Sequence, residues 1–406
     1  MKKELFGAII VGGLILKGCA PAPSEERMPV QKLAATHLSG ASLPFLSTDA
    51  SGKVILSYVV DNDSSAALLF TTLADQQWSA PVKVAEDTNW FVNWADFPSV
   101  ISWGDGKMAA HWLEKNWTGG TNYHVKVSRS QDFGASWNTP VTLHSDTLPR
   151  EHGFVSLVPF PSGRMFASWL DGRKYPPASE HSGHDLSNEM TLMGGYVAID
   201  GHVEGEELLD ERVCDCCQTS SVLSDHGLIT FYRDRSDDEV RDIAEVRWTE
   251  EGWTTPSLLG EDGWDIMACP VNGPQSDAID EQVAVVWFTA ADENPKVQLS
   301  LSGDAGEHPS VPIKVSHKST VGRADVKLID KDYVAVSWIE VVEETGILKV
   351  AVFTIDGQRL EEWDITEIST ERKTGFPQLT SDGKSLIIAW TSDNAVNTAM
   401  IALKEL

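Results

Sequence analysis

Apolar strands separated by polar turns run along the whole chain, and one kind of strand recurs seven times. Each copy is apolar and ends in an aromatic residue, with intervals of 51 to 63 residues between successive aromatics. These aromatic residues are Tyr58, Trp112, Trp169, Tyr232, Trp287, Trp338 and Trp390. A period near 50 residues with strand chemistry in each unit is typical of propeller blades. We expect the large rings to pack between neighbouring blades.

Each repeat reads as four strands, which predicts an all-β fold: a β-propeller of seven four-stranded blades. The alternative is six blades with a separate sheet. The seventh repeat ends after its third strand, at residues 397–403. Segment 30–37 is therefore predicted to supply the missing strand and to close the ring, which protects the sheet edges.

The N-terminus has the pattern of an export signal. Lys2 and Lys3 precede an apolar stretch at residues 5–16, which is too short to span a bilayer. The stretch ends at Leu16-Lys17-Gly18-Cys19, which resembles a bacterial lipobox, so Cys19 is the predicted lipidation site. An ordinary secretory signal with an incidental cysteine is the alternative.

The lipoprotein interpretation predicts three regions and a location. They are a signal peptide at 1–18, a lipidated cysteine with a flexible tether at 19–36, and a single propeller domain at 37–406. The protein would be exported and lipid-anchored in the cell envelope, with no other contact with the membrane. Ala20, directly after the cysteine, favours the outer membrane.

Negative charge dominates the composition. The chain has 60 acidic and 32 basic residues, which gives a formal net charge of −28. Such a surface repels nucleic acid at long range, so we expect no nucleic acid partner. Acidic residues are spread along the chain, which favours a general role in solubility over a specific cationic partner.

Charged residues concentrate where the chain enters the first strand or leaves the second strand of a repeat. These positions share one face of a propeller, and guanidinium groups there could hold a carboxylate or phosphate. The predicted ligand-binding residues are His152, Asp171, Arg173, Arg233, Asp234, Arg235, Arg241, Arg323 and Asp325. The predicted partner is an anionic glycan or a small carboxylate ligand. Arginine–aspartate pairs that only stiffen the fourth blade are the alternative.

Four cysteines form a second cluster on the same face. Cys214, Cys216 and Cys217 precede one first strand, and Cys269 precedes the next. In an exported protein two disulfides are the expected state, with three pairings open. A thiolate site for Zn²⁺ or Cu(I) is the alternative, and we expect no other cofactor.

Residues 130–137, S-Q-D-F-G-A-S-W, match the Asp box of sialidases and other BNR-repeat propellers, and residues 302–306 are a truncated copy. We expect the aspartate to cap a tight turn between third and fourth strands and the glycine to take a positive φ. The predicted structural residues are Ser130, Asp132, Gly134, Trp137, Ser302, Asp304 and Gly306.

From about residue 90 to 390 the chain resembles a group of exported BNR-repeat, sialidase-like propeller proteins. The resemblance is carried by segments such as 151–154, 322–325 and the CDCCQT-containing stretch 209–220. It implies the fold, with a six-bladed sialidase-like propeller as the alternative, and no established reaction. Sialidases use three arginines, a tyrosine nucleophile helped by a glutamate, and an aspartate. No such catalytic set is recognisable here, so enzyme activity stays open.

The function predicted from these features is that of an envelope lipoprotein that binds an anionic ligand, such as a glycan, in the axial funnel of its propeller. A sialidase-like glycoside hydrolase is the first alternative. A metal-binding or redox protein that uses the cysteine cluster is the second, and a purely structural propeller that docks a protein partner is the third.

Overall fold

The computed structural model describes residues 28–62, 64–116, 122–175 and 189–404. Cys19 and the predicted signal peptide lie outside the described residues. Within the described part of the chain, no helix has the length and apolarity needed to cross a membrane. Helix is confined there to three 3-10 turns, at Thr36–Leu38, Ala291–Glu293 and Arg372–Thr374.

Seven antiparallel sheets follow one another along the chain, and an extra strand, β1 (Val30–Leu33), precedes them. Blade 1 contains β2 (Ala41–Thr48), β3 (Val54–Asn62), β4 (Ser65–Ala74), β5 (Gln77–Trp78) and β6 (Val82–Asp87). Blade 2 contains β7 (Ser99–Gly104), β8 (Lys107–Lys115), β9 (Tyr123–Ser130) and β10 (Val141–Thr142). Blade 3 contains β11 (His152–Pro159), β12 (Met165–Asp171), β13 (Met190–Val197) and β14 (Val203–Val213).

The remaining blades repeat this plan. Blade 4 contains β15 (Ser220–Ser224), β16 (Gly227–Arg233), β17 (Ile243–Thr249), β18 (Gly252–Trp253) and β19 (Ser257–Leu258). Blade 5 contains β20 (Gln275–Ile279), β21 (Gln282–Thr289), β22 (Lys296–Ser302) and β23 (Ile313–Lys314). Blade 6 contains β24 (Thr320–Leu328), β25 (Tyr333–Val342), β26 (Thr345–Thr354) and β27 (Arg359–Ile368). Blade 7 contains β28 (Gln378–Ser381), β29 (Ser385–Ser392), β30 (Ala395–Ala402) and β1.

The predicted seven-bladed propeller is therefore confirmed, and the six-bladed alternative is wrong. A seventh sheet exists because the strand at the start of the chain completes it. β1 pairs antiparallel with β30, from Val30 opposite Ile401 to Leu33 opposite Thr398. The Thr398 hydroxyl donates to the Leu33 carbonyl at 2.6 Å and accepts from the Trp78 indole of blade 1 at 3.0 Å. Strands from both ends of the chain thus close the ring, as predicted.

The aromatic residues that define the repeat are all buried, with at most 3% of each exposed. They pack between blades: one apolar cluster, for example, joins Trp169 and Met165 of blade 3 to Leu113 and Val125 of blade 2. A large ring removed from water contributes on the order of 2–3 kcal/mol, so these seven positions account for much of the adhesion between blades.

The two turns predicted from the Asp boxes have the expected geometry. Gly134 and Gly306 take φ values of +80° and +83°. Each donates its backbone N–H to the box serine, Ser130 or Ser302, at 2.9 Å. The box aspartates accept backbone N–H groups four residues on, at 2.9 Å for Asp132 and 3.0 Å for Asp304. The Trp137 indole donates to the Gly134 carbonyl at 3.2 Å, so this segment is held locally.

Candidate functional site

The first strands of all seven blades line an axial channel with a volume of about 250 Å³. Its wall is rich in hydroxyl groups from Ser47, Thr48, Ser99, Ser156, Ser220, Ser276 and Thr380, with Asp277, Asp325 and Lys327 among them. Some hydroxyls bond between blades, as Thr48 does with Thr380 and Ser220 with Ser276, both at 2.7 Å. The channel therefore offers a polar surface with donors and acceptors on many sides.

Gln218, from the CDCCQT stretch, ties separate blades together beside the channel. Its amide donates to the Ala95 carbonyl ahead of blade 2 at 2.7 Å and accepts the Gly273 N–H ahead of blade 5 at 2.9 Å. The two backbones approach closely here, because a Cβ on Gly273 would lie 2.1 Å from the backbone carbonyl oxygen of Gln218. This link lies in the channel wall where the chain enters the first strands.

Asp96 lines the channel near the end at which the chain enters the first strands. It belongs to a group of neighbouring residues that we call the mouth: two carboxyl–tyrosine pairs, Asp96 with Tyr123 and Asp215 with Tyr175, and Glu151 beside them. In the first pair, Tyr123 donates its hydroxyl to Asp96 at 2.9 Å. The Phe154 backbone N–H donates to the other Asp96 oxygen, also at 2.9 Å. Only 2% of Asp96 is exposed, and burial raises the pKa of its carboxyl to about 7 against the effect of these hydrogen bonds.

In the second pair, the Tyr175 hydroxyl is hydrogen-bonded to Asp215. Burial raises the pKa of Asp215 to about 6, assisted by the negative charge on Cys214 and opposed by Arg235. Glu151 is half-buried, and its charge adds to the rise in pKa of Asp96, Tyr123 and Tyr175. The mouth therefore contains three carboxyl groups and two phenols. Two of these carboxyl groups, those of Asp96 and Asp215, have pKa values of about 7 and about 6.

The four cysteines converge beside Asp215. The Cys214 and Cys217 sulfurs are 3.2 Å apart, and Cys216 is hydrogen-bonded to Cys214, Cys217 and Cys269. The predicted meeting of the two cysteine segments is thus observed, with Cys216 rather than Cys217 facing Cys269. All four are free thiols in this structure.

The Cys214 sulfur also accepts a hydrogen bond from the Arg241 guanidinium at 3.4 Å. Burial acts to raise the pKa of Cys214, but the bonds from Cys216 and Cys217 and the charges of Arg241 and Arg233 outweigh it. The pKa of this thiol is therefore held well below its usual range, which favours the thiolate.

The guanidinium groups of Arg233 and Arg323 donate hydrogen bonds to backbone carbonyl groups. Arg233 bonds to the carbonyls of Asn272 at 2.8 Å, Phe288 at 2.6 Å and its own blade's Arg241 at 2.6 Å. Arg323 bonds to the carbonyls of residues 370 and 371 at 3.1 and 3.0 Å, and burial lowers its pKa to about 10. Each of these predicted ligand-binding arginines therefore joins its blade to the next one.

Arg235 and Arg241 share one carboxylate. Glu239 accepts from both guanidinium groups at 2.8 Å, and Arg235 also lies 3.3 Å from Asp215. Burial alone would raise the pKa of Glu239, but hydrogen bonds from the two arginines bring it down to about 2. Through Asp215 and Cys214, these two arginines are in contact with the mouth.

The two predicted aspartates Asp234 and Asp325 are buried to different extents. Asp325 lies in the channel wall and accepts the backbone N–H groups of Val326 at 2.8 Å and Leu379 at 2.7 Å, and burial raises its pKa to about 7. Asp325 therefore links blades 6 and 7. Asp234 is half-buried, and burial raises its pKa to about 6.

The last three predicted residues, His152, Asp171 and Arg173, meet on blade 3. His152 and Asp171 are direct partners in the β11–β12 ladder. Arg173 holds Asp171 with two hydrogen bonds, at 2.8 and 2.7 Å, and also bonds to Glu206. The nine predicted residues thus fall into local groups with their own partners.

The sequence did not reveal the two tyrosines of the mouth, Tyr123 and Tyr175. No motif marks them, because their acidic partners come from other segments.

No family model matches the chain, and a comparison with curated proteins gives no match. Among solved structures, a protein of unknown function from Dyadobacter fermentans is similar at 10% identity, covering 94% of this chain and 100% of that one, with a TM-score of 0.55. A polysaccharide lyase of family PL25, an ulvan lyase bound to a GlcA(1-4)Rha3S unit, is 10% identical over 93% and 94% of the chains, with a TM-score of 0.53. The polysaccharide lyase Uly1 is 8% identical over 89% and 90%, with a TM-score of 0.52.

At such identities the likeness shows the fold alone. It agrees with the predicted propeller family, and the narrower resemblance to sialidase-like BNR proteins with a CDCCQT motif stays a prediction.

Proposed function

We propose that this protein binds a glycan at the mouth of its axial channel. The observation that carries the proposal is the pairing of Asp96 with Tyr123 and of Asp215 with Tyr175 next to a channel lined with hydroxyl groups. Binding sites for small ligands combine a concave surface with a few convergent polar groups, and the channel with the carboxyls at its mouth has this character. Sugars present many hydroxyls that such donors and acceptors can match.

The glycan, or a small ligand in its place, would carry a carboxylate. Arg235 and Arg241 supply positive charge beside the mouth, and Asp96 and Asp215 lose their negative charge as they take up protons near pH 6–7. Both effects favour an anion, the second one more at mildly acidic pH. The same fold carries an ulvan lyase whose structure holds a glucuronate-containing unit, which is consistent with this ligand class.

The binding proposal can be tested on a glycan array and then by calorimetry with the mature chain. Tyr175→Phe and Asp215→Asn should each weaken binding about tenfold, because each breaks a hydrogen bond at the mouth. Tyr232→Phe is the matched control, since it breaks a similar buried bond to Asp210 away from the mouth. Equal binding by wild type and both mouth variants would refute the proposed site.

A second candidate is cleavage of the glycan by a sialidase-like or other acid–base enzyme. It is favoured by a buried carboxyl with a pKa of about 7 in contact with a tyrosine, since such groups suit general acid–base catalysis at neutral pH. Fluorogenic sialosides across pH 4–8, and the ultraviolet absorbance of an unsaturated uronate after incubation with acidic polysaccharides, test hydrolysis and elimination separately. No turnover in either assay would leave binding as the function.

A third candidate is a Zn²⁺ or Cu(I) site at the cysteine cluster, supported by the convergence of four thiols and by the thiolate character of Cys214. Two disulfides are the competing state in an exported protein. Thiol titration with elemental analysis of the exported protein separates them: two disulfides and no metal would end this candidate.

We also propose that the chain is exported and anchored to the outer membrane through Cys19. Lipid labelling of wild type and Cys19→Ser, with fractionation of the envelope, tests this directly. Unlabelled wild-type protein in the periplasm would contradict it.

A further inference from the structure

We propose that a divalent ion of the Zn²⁺ class binds at the seam between blades 2 and 3, held by His152 and Asp146 together with Asp171 and a second histidine. This seam site adjoins the mouth, because His152 bonds to the Tyr123 carbonyl, but its ligand side chains belong neither to the mouth nor to the cysteine cluster. It does not depend on the proposed glycan function. Two groups of potential ligands overlap at His152. In the first, ring nitrogens of His124, His144 and His152 lie within 4.8 Å of one another. In the second, ligand atoms of Asp146, His152 and Asp171 lie within the same distance.

The protonation state of His152 is the first step. Its Nδ1 faces the Tyr123 carbonyl oxygen at 3.3 Å. A carbonyl only accepts, so the ring hydrogen belongs on Nδ1 and the lone pair belongs on Nε2. A backbone carbonyl on the far nitrogen is the usual way in which a metal-binding histidine is oriented.

The surroundings of Nε2 are the second step. This atom makes no hydrogen bond with any residue that the structure describes, although none of the His152 side chain is exposed. It lies 3.4 Å from an Asp146 oxygen and 3.6 Å from an Asp171 oxygen. A lone pair between two carboxylates is repulsive, so a positive species has to lie between them, either a proton on Nε2 or a metal ion.

The distances favour the metal ion. N–H···O hydrogen bonds have lengths of about 2.7–3.2 Å, which are shorter than both separations. Zn²⁺ binds nitrogen and carboxylate oxygen at about 2.0–2.2 Å, and a tetrahedral arrangement then sets neighbouring ligand atoms about 3.3–3.6 Å apart. The observed separations of 3.4 and 3.6 Å match this spacing.

The charges at the seam leave room for a cation. Asp146, Asp171 and Glu206 carry three negative charges, and Arg150 and Arg173 carry two positive ones, which leaves one negative charge. Arg150 lies 3.3 Å from the Asp146 oxygen that faces His152. It also bonds to the Arg173 carbonyl, so it would retain this hydrogen bond if an ion replaced it at Asp146.

A second histidine would complete the ligand set. The His144 ring stacks on His152 at 3.6 Å, and its Nδ1 donates to the Asp146 carbonyl at 2.8 Å. Its Nε2 accepts a long hydrogen bond from the Val125 backbone N–H at 3.4 Å, which His144 would have to exchange for the ion. His124 is half-buried, and Asp146 keeps 11% of its side chain exposed, so an ion can reach the site from solvent. An ion here would join β9 of blade 2 to β11 and β12 of blade 3.

The test uses the mature chain, stripped with a chelator and titrated with Zn²⁺ and with Co²⁺. The absorption spectrum of bound Co²⁺ distinguishes the cysteine cluster from the seam site. Thiolate ligands give intense near-ultraviolet charge-transfer bands, whereas histidine and aspartate ligands give only weak visible bands. We expect visible bands without charge transfer for one equivalent of Co²⁺, and a rise in the melting temperature with Zn²⁺.

His152→Gln and Asp146→Asn should each weaken this binding by about tenfold or more and remove the rise in melting temperature. His111→Gln is the matched control, since His111 is also buried, with 1% exposed, and lies in blade 2 next to Ser99. Asp146→Asn provides the answer if His152→Gln does not fold. Equal binding by wild type and Asp146→Asn, or binding only with thiolate bands, would overturn the proposal and assign a proton to His152.

Discussion

The buried carboxyl of Asp96 should make the stability of the protein fall as pH rises, and Asp96→Asn should abolish that contribution. Burial raises the folded-state pKa of Asp96 from 3.8 to about 7. Between these two values the folded chain holds a proton that the unfolded chain has released. The stabilising contribution of this proton is therefore complete below the unfolded pKa and is lost as pH rises to about 7.

The size of the effect follows from the shift. A difference of about 3 pKa units at about 1.4 kcal/mol each gives at most about 4 kcal/mol over the whole range. Between pH 5 and pH 8 the part that is lost is about 3 kcal/mol. Asparagine does not titrate, so the free energy of unfolding of wild type minus that of the variant should decrease by about this amount from pH 5 to pH 8.

Urea unfolding, followed by the fluorescence of the 15 tryptophans, measures both free energies at each pH. Ser47→Ala is the control, because it removes a hydrogen bond to the Val100 carbonyl in the same channel without removing a titratable group. Its cost should be the same at both pH values. If the difference between wild type and Asp96→Asn is also the same at pH 5 and pH 8, the reasoning about this carboxyl is wrong.

Three other outcomes are expected. Thr398→Val removes the hydrogen bonds to Leu33 and Trp78 that close the ring, so urea unfolding should show a loss of about 1–3 kcal/mol, and no loss would contradict the role of this hydroxyl. Gly273→Ala should lower the melting temperature strongly because its Cβ would meet the Gln218 carbonyl at 2.1 Å, whereas Gly303→Ala, with 3.5 Å of room, should be tolerated. A carboxylate-bearing glycan should bind more tightly at pH 5 than at pH 8 by calorimetry, and a flat profile would argue against the protonation of the mouth carboxyls.

The architecture was predictable because the repeated residues are large aromatic side chains that the fold buries. A propeller needs one large side chain between each pair of blades, and those seven rings recur at nearly constant spacing. The closing strand could be inferred because the last repeat lacks a strand that the first residues can supply. The turns at Gly134 and Gly306 could be inferred because only a few residue types tolerate a positive φ.

The chemistry of the site was less predictable, because it depends on which partner each polar group finds. Arg233 and Arg323 lie on the expected face, but sequence does not tell whether a guanidinium meets a ligand or a carbonyl of the next blade. Tyr123 and Asp96 are 27 residues apart, and they meet only because the start of β9 and the segment ahead of β7 come together when blade 2 folds. The seam site was missed for the same reason, since His124 and Asp146 stand in no recognisable motif.

The pairing of β1 with β30 has a consequence for biogenesis. β1 is made before the other strands that the structure describes, and it can pair only after the last of them, Ala395–Ala402, has been made. Until then the nascent chain carries two open sheet edges, which invite pairing with other chains. A polypeptide that stops short of β28 would keep its sheet edges unpaired, so synthesis of β28–β30 is the step that converts an aggregation-prone intermediate into a closed ring.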